Sequence, residues 1–169
     1  MKLLKKCKKI KIVLTDVDGV LTDGGMYYSS KGDVMKKFHV RDGMGVTLLR
    51  KNKISTIIVT KEKNPIIRQW AKKMKIKKVY EGILQKEVII NEIYKTFNIT
   101  PQELAYIGDD VNDIGLIKKV GFSAAPKDGI GQIKKIVDYI CKSKGGEGVL
   151  REIADIILLT KFPSRYNLY

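Results

Sequence analysis

Short apolar runs alternate along this chain with longer segments in which apolar residues recur every three or four positions. A short run is typical of a buried strand, and the longer spacing is typical of a helix with one buried face. The runs predict strands at about residues 10–15, 54–60, 79–80, 104–107 and 121–124. The other segments predict helices at about residues 44–51, 64–74, 84–97, 112–119, 129–136 and 149–159. Because strands that alternate with helices form a parallel sheet covered on both faces, we expect a doubly wound α/β fold.

Turn and capping residues refine this outline. Two β-prone runs flank the turn at residues 29–33, which predicts a β-hairpin insertion at about residues 23–38. Asp42 stands where an N-cap is expected for the helix after it. Asn64 followed by Pro65 predicts the first residues of the next helix.

Chain length and glycine content set the domain organisation. With 169 residues and no internal repeat, we expect residues 1–169 to form a single domain. The glycine-rich stretch at residues 144–148 predicts a flexible C-terminal tail from about residue 144.

The net charge is +15, with 33 Lys and Arg against 18 Asp and Glu. Most of the basic residues are lysines, which are scattered along the chain and not interleaved with aromatic residues. Nucleic-acid binders more often cluster arginine with stacking residues, so we expect a solvated lysine surface that attracts anionic substrates, and no nucleic-acid partner. Cys7 and Cys141 lack the spacing of a metal site and indicate reduced thiols in the cytoplasm. No apolar stretch reaches membrane-spanning length, so no membrane partner is expected.

Two carboxylates, Asp16 and Asp18, follow the first predicted strand and precede Gly19. Side chains two residues apart on an extended chain point to the same side, so these carboxylates repel each other unless a cation or a shared proton lies between them. Taken alone, the motif fits an acidic turn as well as a Mg²⁺ site.

Two further polar residues follow predicted strands in the same way. Thr60 ends the second long strand, and Asp109 follows the strand at about residues 104–107. In a doubly wound sheet the ligand lies outside the carboxyl ends of the strands. We therefore expect Asp16, Thr60 and Asp109 to meet in one crevice.

This set of residues is suited to phosphoryl transfer. Asp16 is the candidate nucleophile, and Asp18 is the candidate general acid and base. Thr60 and Lys86 would offer a hydroxyl and a cation to the phosphoryl oxygens, although each alone would also fit an ordinary strand-end or surface residue.

The metal and its surroundings are expected to use the remaining carboxylates. Asp16, Asp18 and Asp109 are the predicted Mg²⁺ ligands. Behind them, Asp113 would hold Lys86 or a metal-bound water, with Asp110 beside it; either residue also fits an N-cap.

These motifs resemble the haloacid dehalogenase superfamily of phosphatases. The resemblance rests on Asp16-Val-Asp18-Gly19-Val, Thr60, Lys86 and Gly108-Asp109-Asp110-x-x-Asp113, in that order. It implies a Rossmann-like fold, a Mg²⁺ cofactor and an aspartyl-phosphate intermediate. Members usually carry an inserted cap domain, but the spacing from Asp18 to Thr60 and from Thr60 to Lys86 leaves no room for one.

A finer resemblance covers nearly the whole chain and is to small tetrameric phosphatases of 3-deoxy-ulosonic acid phosphates, which act in cell-surface sugar biosynthesis. That family includes enzymes for 3-deoxy-D-manno-octulosonate (KDO) 8-phosphate, of lipopolysaccharide synthesis, and enzymes for nine-carbon KDN-type or sialic-type 9-phosphates. The octulosonate branch has Thr-Gly-Arg at the second motif and Gly-Gly-Arg-Gly near the C-terminus. This chain has Thr60-Lys61-Glu62 and Gly145-Gly146-Glu147-Gly148, closer to the nine-carbon branch, although Lys61 fits neither.

The resemblance also implies substrate-binding residues and an assembly. One loop resembles a substrate-binding stretch of the family and contains His39, Arg41, Asp42 and Gly43. We further expect Glu62 and Lys73 to select the sugar, and Arg151 to bind a sugar carboxylate in the site of a neighbouring subunit. The set of predicted substrate-binding residues is thus His39, Arg41, Asp42, Gly43, Glu62, Lys73 and Arg151. A homotetramer is expected, in which the hairpins pair and the glycine-rich segment closes a neighbouring site.

A phosphorylated signalling domain of the receiver type is the alternative from another functional class. Receivers combine an acidic pair, a phosphorylated Asp, a Thr and a Lys on a doubly wound sheet. They place the acidic pair on the first strand and the phosphorylated Asp on the third, whereas here Asp16 and Asp18 come first and Asp109 late. The order of the motifs therefore favours the enzyme.

Overall fold

A computed structural model describes residues 2–164. These residues form eight strands: β1 Ile12–Thr15, β2 Tyr27–Ser29, β3 Gly32–Met35, β4 Ser55–Val59, β5 Val79–Tyr80, β6 Leu104–Ile107, β7 Phe122–Ala125 and β8 Tyr139–Ile140. The same part of the chain forms seven α-helices: α1 Lys2–Lys9, α2 Val40–Lys51, α3 Pro65–Lys73, α4 Ile90–Phe97, α5 Ile114–Ile117, α6 Gly131–Lys134 and α7 Val149–Lys161. Three short 3₁₀ turns, Lys86–Ile89, Pro101–Glu103 and Val111–Asp113, complete the described structure. Within residues 2–164, no helix has both the length and the apolar character needed to cross a bilayer.

Six strands form one parallel sheet in the order β5-β4-β1-β6-β7-β8. The chain adds β4 and β5 on one side of β1 and then places β6, β7 and β8 on the other side. The topology therefore switches direction at β1, and such a switch opens a crevice at the carboxyl ends of the central strands. The predicted doubly wound α/β fold is confirmed.

Both faces of the sheet are buried, as the apolar strands require. Along β1, Val13 packs into the core cluster that contains α2 and α7, whereas Ile12 and Leu14 pack into the cluster on the opposite face with α4, α5 and α6. Successive strand residues point to opposite faces, so a strand buried on both sides has no polar alternation. This explains the continuous apolar runs in the sequence.

The hairpin lies outside the main sheet. Strands β2 and β3 pair antiparallel, and a bridge between Thr22 and Phe38 closes the base of the ribbon. The predicted hairpin at about residues 23–38 thus has the expected position. In the described chain, the segment from Asp18 to Thr60 holds only this ribbon, α2 and β4, so no cap domain is inserted there.

Two elements were not anticipated from the sequence. Helix α1 is short and rich in lysine, but Cys7 is fully buried in the core and Leu3 packs against it. Strand β8 has only two residues and extends the sheet beyond β7. Both elements depend on tertiary packing, which a local pattern of this length does not reveal.

The capping predictions were right at α3 and wrong at α2. The Asn64 side chain accepts a hydrogen bond from the Ile66 N–H, and Pro65 is the first helical residue. Helix α2 begins earlier than expected, with His39 as its N-cap. His39 accepts a hydrogen bond from the Arg41 N–H, so Asp42 lies inside the helix and not at its cap.

Asp42 instead contacts the first turn of α7. It is fully buried, and its Oδ1 accepts a hydrogen bond from the Arg151 N–H at 2.9 Å. The N-cap of α7, Gly148, has no side chain to perform this role, so Asp42 provides a carboxylate at that helix terminus from another helix. The helices approach closely at Gly45, where an added Cβ would lie 3.0 Å from the Arg151 Cα.

The segment before α7 is packed rather than extended into solvent. The Gly146 N–H donates to the Val20 carbonyl at 3.0 Å, and the Gly145 N–H donates to Asp128 Oδ1 at 2.9 Å. An added Cβ at Gly145 would lie 2.2 Å from the Gly19 carbonyl oxygen. The structure thus differs from the predicted flexible tail, because α7 is a core helix and its preceding loop fits against the loop after β1.

We predict that Asp42 makes the fold less stable as the pH rises from about 4 to about 6. Burial raises the pKa of Asp42 from 3.8 to about 6, although hydrogen bonds from backbone N–H groups of α7 partly offset it. In that pH interval the folded chain holds a proton that the unfolded chain has released, so deprotonation costs folding free energy. The penalty reaches at most about 3 kcal/mol above the folded pKa.

Urea unfolding of the wild type and of Asp42→Asn across this pH range measures the effect. The Asn side chain keeps the volume and one acceptor oxygen, so stability relative to the variant should fall with pH. Asp155→Asn, at a partly exposed position of α7, is the comparison: it keeps Asp42, so its stability should fall with pH as that of the wild type does. A wild-type stability that tracks Asp42→Asn at every pH would contradict the assignment.

Candidate active site

The carboxyl ends of β1, β4 and β6 bring the predicted catalytic residues together. A pocket of about 300 Å³ at this edge is lined by Asp16, Asp18, Thr60, Lys61, Glu62, Asp109, Asp110, Val111 and Asn112. Asp16 follows β1, Thr60 follows β4, and Asp109 follows β6 after Gly108. The convergence expected from the strand ends is therefore present in the structure.

Lys86 lies beneath this pocket and is fully buried. Its Nζ lies 2.7 Å from Asp16 Oδ2 and 2.7 Å from Asp113 Oδ1. It also donates to the Tyr106 hydroxyl at 3.3 Å. Burial lowers the pKa of the Lys86 ammonium, but the charges of Asp16 and Asp113 outweigh burial and raise it. Lys86 is thus a fixed cation next to the candidate nucleophile.

Asp113 organises the loop that follows β6. Its Oδ1 accepts hydrogen bonds from Lys86 and the Tyr106 hydroxyl, and its Oδ2 accepts from the N–H groups of Asp109 and Asp110. Asp110 is the N-cap of the next turn, and its Oδ1 accepts from the Val111 N–H. With four donors around it, Asp113 serves to hold Lys86 and to position Asp109.

Asp16 and Asp109 lie close together at the pocket. Asp16, Asp109 and Asp113 each offer one carboxylate oxygen, and these three oxygens lie within 4.8 Å of one another. Burial, and then the charge of Asp16, raise the pKa of Asp109 to about 8. Burial also raises the pKa of Asp16, against the lowering effect of Lys86. This crowding of anionic groups is what a divalent cation would relieve.

Gly19 permits the approach of Asp109. Its φ is +83°, a left-handed conformation that favours glycine, and an added Cβ would lie 2.1 Å from Asp109 Oδ2. The glycine of the Asp-x-Asp-Gly motif is therefore required sterically, whereas its aspartates are required for chemistry.

Asp18 lies at the rim, apart from the Asp16–Asp109 group. Its Oδ1 accepts a hydrogen bond from Lys36 Nζ at 2.7 Å, and its side chain is 32% exposed. Its carboxylate is not part of the group of Asp16, Asp109 and Asp113 that could hold a metal. The predicted metal set of Asp16, Asp18 and Asp109 is thus brought to one pocket, with the Asp18 carboxylate engaged by a lysine.

Of the seven predicted substrate-binding residues, Glu62 lines this pocket and the other six do not. His39, Gly43 and Lys73 line a separate groove beside the stacked rings of Phe38 and Trp70, whose centroids are 4.7 Å apart. The structure thus separates these three residues from the catalytic pocket of the same chain.

Arg41, Asp42 and Arg151 also lie elsewhere. Arg41 and Arg151 line a pocket with Glu147 and Gly148 at the start of α7. The Arg151 Nε donates to both oxygens of Asp155, at 2.8 and 2.9 Å. Asp42 is buried and accepts a hydrogen bond from the first turn of α7, away from the catalytic pocket, and its substrate-binding role stays a prediction.

Comparison with known proteins agrees with this geometry. The sequence profile of the haloacid dehalogenase-like hydrolases matches residues 36–153. The chain belongs to the haloacid dehalogenase-like hydrolases. This membership confirms the resemblance seen in the motifs and decides against the receiver-type alternative.

Three of the similar proteins and solved structures are named as octulosonate 8-phosphate phosphatases. The 3-deoxy-D-manno-octulosonate 8-phosphate phosphatase KdsC of Haemophilus influenzae is 38% identical over 154 residues, which cover 91% of this chain and 86% of that protein. The cobalt-bound structure of that organism's octulosonate 8-phosphate phosphatase superposes with a TM-score of 0.92 at 37% identity, covering 96% of this chain and 95% of the other. The enzyme of Moraxella catarrhalis, in complex with a magnesium ion, a phosphate ion and a KDO molecule, has a TM-score of 0.91 at 32% identity and covers 95% of this chain and 92% of that one.

The structure adds two residues of this hydrolase's site that sequence reasoning missed. Tyr106 is fully buried in β6 and donates its hydroxyl hydrogen bond to Asp113. Lys36 follows β3 and contacts Asp18 and Glu62. The role of Tyr106 could have been predicted, because a tyrosine within an aliphatic strand is buried and its hydroxyl then needs a hydrogen-bond partner. Lys36 gave no signal among the other 27 lysines of the chain.

Proposed function

We propose that this hydrolase is a Mg²⁺-dependent phosphomonoesterase that removes phosphate from a 3-deoxy-ulosonic acid phosphate through an aspartyl-phosphate on Asp16. The observation that carries the proposal is Asp16 itself, nearly buried between Lys86 and Asp109 at the carboxyl end of the central strand. A carboxylate held in place by a fixed cation is arranged to attack phosphorus.

The residues present fit a divalent metal. Asp16 and Asp109 provide hard oxygen ligands in a pocket where burial and like charge raise both pKa values. When bound, Mg²⁺ would draw charge from the phosphoryl oxygens and lower the repulsion between substrate and carboxylate. Asp113 has its oxygens engaged by four donors, so we assign it to positioning and not to ligation.

The side chains of the pocket account for both half-reactions. Asp16 attacks phosphorus, the bond from phosphorus to the sugar oxygen breaks, and that oxygen takes a proton from Asp18. Asp18 then removes a proton from water, whose oxygen displaces Asp16 and releases inorganic phosphate. Thr60 lines the pocket and holds a phosphoryl oxygen during transfer, and Lys86, buried beneath it, offsets the charge of Asp16. Asp16 oxygen Oδ1 already accepts the Val17 N–H at 2.7 Å, and Oδ2 accepts Lys86, so the nucleophile is held in one orientation.

We predict that Asp16→Asn abolishes turnover, because the amide is not a nucleophile and carries no charge toward the metal. Asp18→Asn should slow both half-reactions by about 10²–10⁴-fold and leave substrate affinity nearly unchanged. Phosphate release from an aryl phosphate with Mg²⁺ measures both effects, with circular dichroism to verify folding. Near-normal turnover in Asp16→Asn would end the covalent mechanism.

The eight-carbon substrate, KDO 8-phosphate, is the first candidate for the sugar. Its support is the shared identity of the relatives, which are octulosonate 8-phosphate phosphatases. A nine-carbon KDN-type or sialic-type 9-phosphate is the second candidate. Its support is Glu62, which lines the pocket where the octulosonate branch carries arginine. Both substrates are sugar acids that belong to cell-surface polysaccharide synthesis.

We predict that Glu62 sets the preference between these sugars. Its carboxylate reaches the pocket and is 40% exposed, so it can accept hydrogen bonds from sugar hydroxyls. Glu62→Ala should change the ratio of kcat/KM for the two sugar phosphates, whereas Lys73→Ala, in the Phe38 groove, is the comparison and should not. An unchanged ratio in Glu62→Ala would exclude Glu62 as the specificity residue.

A homotetramer, assembled through the hairpins, remains part of the proposal. Four apolar side chains of the ribbon are more than half exposed: Met26, Tyr28, Val34 and Met35. A two-stranded ribbon is marginal in water on its own, so these side chains favour pairing with another ribbon. Because residues 145–148 pack on their own chain, we assign the assembly to the hairpin and not to that segment.

The two free, buried cysteines fit the cytoplasmic location proposed here.

Sedimentation velocity tests this assembly. The wild type should sediment as a tetramer, and the double variant Tyr28→Glu/Val34→Glu should dissociate because it places charge on the apolar ribbon. The double variant Lys95→Glu/Thr96→Glu, at two exposed positions of α4, is the comparison and should sediment as a tetramer. A wild type that is a fully active monomer at nanomolar concentration would contradict the assignment.

A further inference from the structure

Lys36 lies at the base of the hairpin, just after β3. Its charged group is surrounded by carboxylates, two of which line the active-site pocket. Its side chain is 2% exposed, whereas the side chain of the adjacent Lys37 is 61% exposed. Its Nζ lies 2.7 Å from Asp18 Oδ1, 3.1 Å from Glu62 Oε2 and 3.3 Å from Asp33 Oδ2. A single buried ammonium thus joins three carboxylates from three separate segments.

The contacts on the hairpin side hold Lys36 in place. Asp33 is its partner on the same ribbon, and Asn64 Nδ2 donates to Asp33 Oδ2 at 3.0 Å. Asn64 is also the N-cap of α3, so this chain of contacts ends on a helix terminus. A buried ammonium with three acceptors and a fixed neighbour has little rotational freedom.

On the other side, Lys36 determines how Asp18 is oriented. Both donors to Asp18 reach the same oxygen: Lys36 Nζ at 2.7 Å and the Thr22 hydroxyl at 3.4 Å bind Oδ1. With Oδ1 engaged, Oδ2 is left to exchange a proton with a substrate in the pocket. Without Lys36, the weak Thr22 contact alone would not hold a carboxylate that is 32% exposed.

We propose that Lys36 is a positioning residue that orients Asp18 for proton transfer to the departing oxygen, and so completes the site from the hairpin. This inference rests on the proposed role of Asp18 as general acid. As the ester bond breaks, its electron pair passes to the leaving oxygen, and the proton on Asp18 Oδ2 moves to that oxygen. Lys36 neither gives nor takes this proton; it holds Oδ1.

The leaving group distinguishes this role from a purely structural one. A phenolate with a nitro group leaves without much help from an acid, whereas an unsubstituted phenolate, whose acid has a pKa of about 10, needs a proton. A residue that acts through Asp18 should therefore affect phenyl phosphate far more than 4-nitrophenyl phosphate. A residue that only stabilises the ribbon should affect both substrates equally.

The experiment measures kcat and KM of Lys36→Met with these two aryl phosphates in the presence of Mg²⁺. We expect kcat/KM, which reports the steps up to the departure of the leaving group, to fall at least about ten-fold more for phenyl phosphate than for 4-nitrophenyl phosphate. Hydrolysis of the aspartyl-phosphate is common to both substrates and does not enter this ratio. Lys36→Arg keeps a charged donor and should restore the wild-type ratio of the two kcat/KM values. Lys37→Met, on the neighbouring exposed lysine, should match the wild type with both substrates.

If Lys36→Met does not fold, the same measurements are made on the double variant Asp33→Asn/Lys36→Met. This variant removes a buried charged carboxylate together with the cation that it pairs with, so no unpaired charge is left at Asp33. An equal fall in kcat/KM with both substrates, or no fall, in the folded variant would overturn the positioning role. Asp18→Asn is measured alongside as the reference. If it separates the substrates and Lys36→Met does not, the inference fails and the proposed function stands; if Asp18→Asn itself does not separate them, the acid role of Asp18 fails and the inference fails with it.

Discussion

The ion pairs of the buried Lys86 constrain the site more than any other interaction. A fully buried ammonium is costly unless carboxylates surround it, and here Asp16 and Asp113 each lie 2.7 Å from its Nζ. Removing one partner of such a group leaves an unpaired buried charge, which costs about 3–5 kcal/mol. The cost fixes the relative positions of the 3₁₀ turn that carries Lys86, the end of β1 and the loop after β6. In the proposed reaction, these three segments are the ones that meet at the phosphoryl group.

The same interaction leaves the site short of positive charge. Lys86 is shared between Asp16 and Asp113, while Asp109 adds a third carboxylate whose pKa is raised by burial and by Asp16. Folding thus builds a cluster that is unfavourable by itself and becomes favourable with a divalent cation and an anionic substrate. Stability spent on pre-arranged charge is typical of active sites, where it lowers the reorganisation needed during the reaction.

Residues at strand ends could be predicted from the sequence, whereas residues held by tertiary contacts could not. Asp16, Thr60 and Asp109 follow long apolar runs, and the rule for parallel sheets places them at one edge. Asp42 was misplaced because an acidic residue near a helix start fits an N-cap locally; its actual partner, the first turn of α7, is 109 positions along the chain. His39 was placed by resemblance and Lys73 by its position one helix beyond the second motif, and both line a groove outside the pocket of their own chain. Arg151 was expected in a neighbouring subunit's site and lines a different pocket of its own chain.

The hairpin shows how a site can be completed without a cap domain. At the base of the ribbon, Lys36 contacts Asp18 and Asp33 contacts Asn64. The side chains of Lys36 and Asp33 are only 2% and 13% exposed. Along the same strand, Val34 and Met35 are 56% and 52% exposed. A short two-stranded ribbon has too little buried surface of its own to fix the position of its base. Whatever covers Val34 and Met35 therefore also steadies Lys36, and through Lys36 the carboxylate of Asp18. The proposed assembly through the ribbon and the proposed orientation of Asp18 by Lys36 therefore depend on the same element.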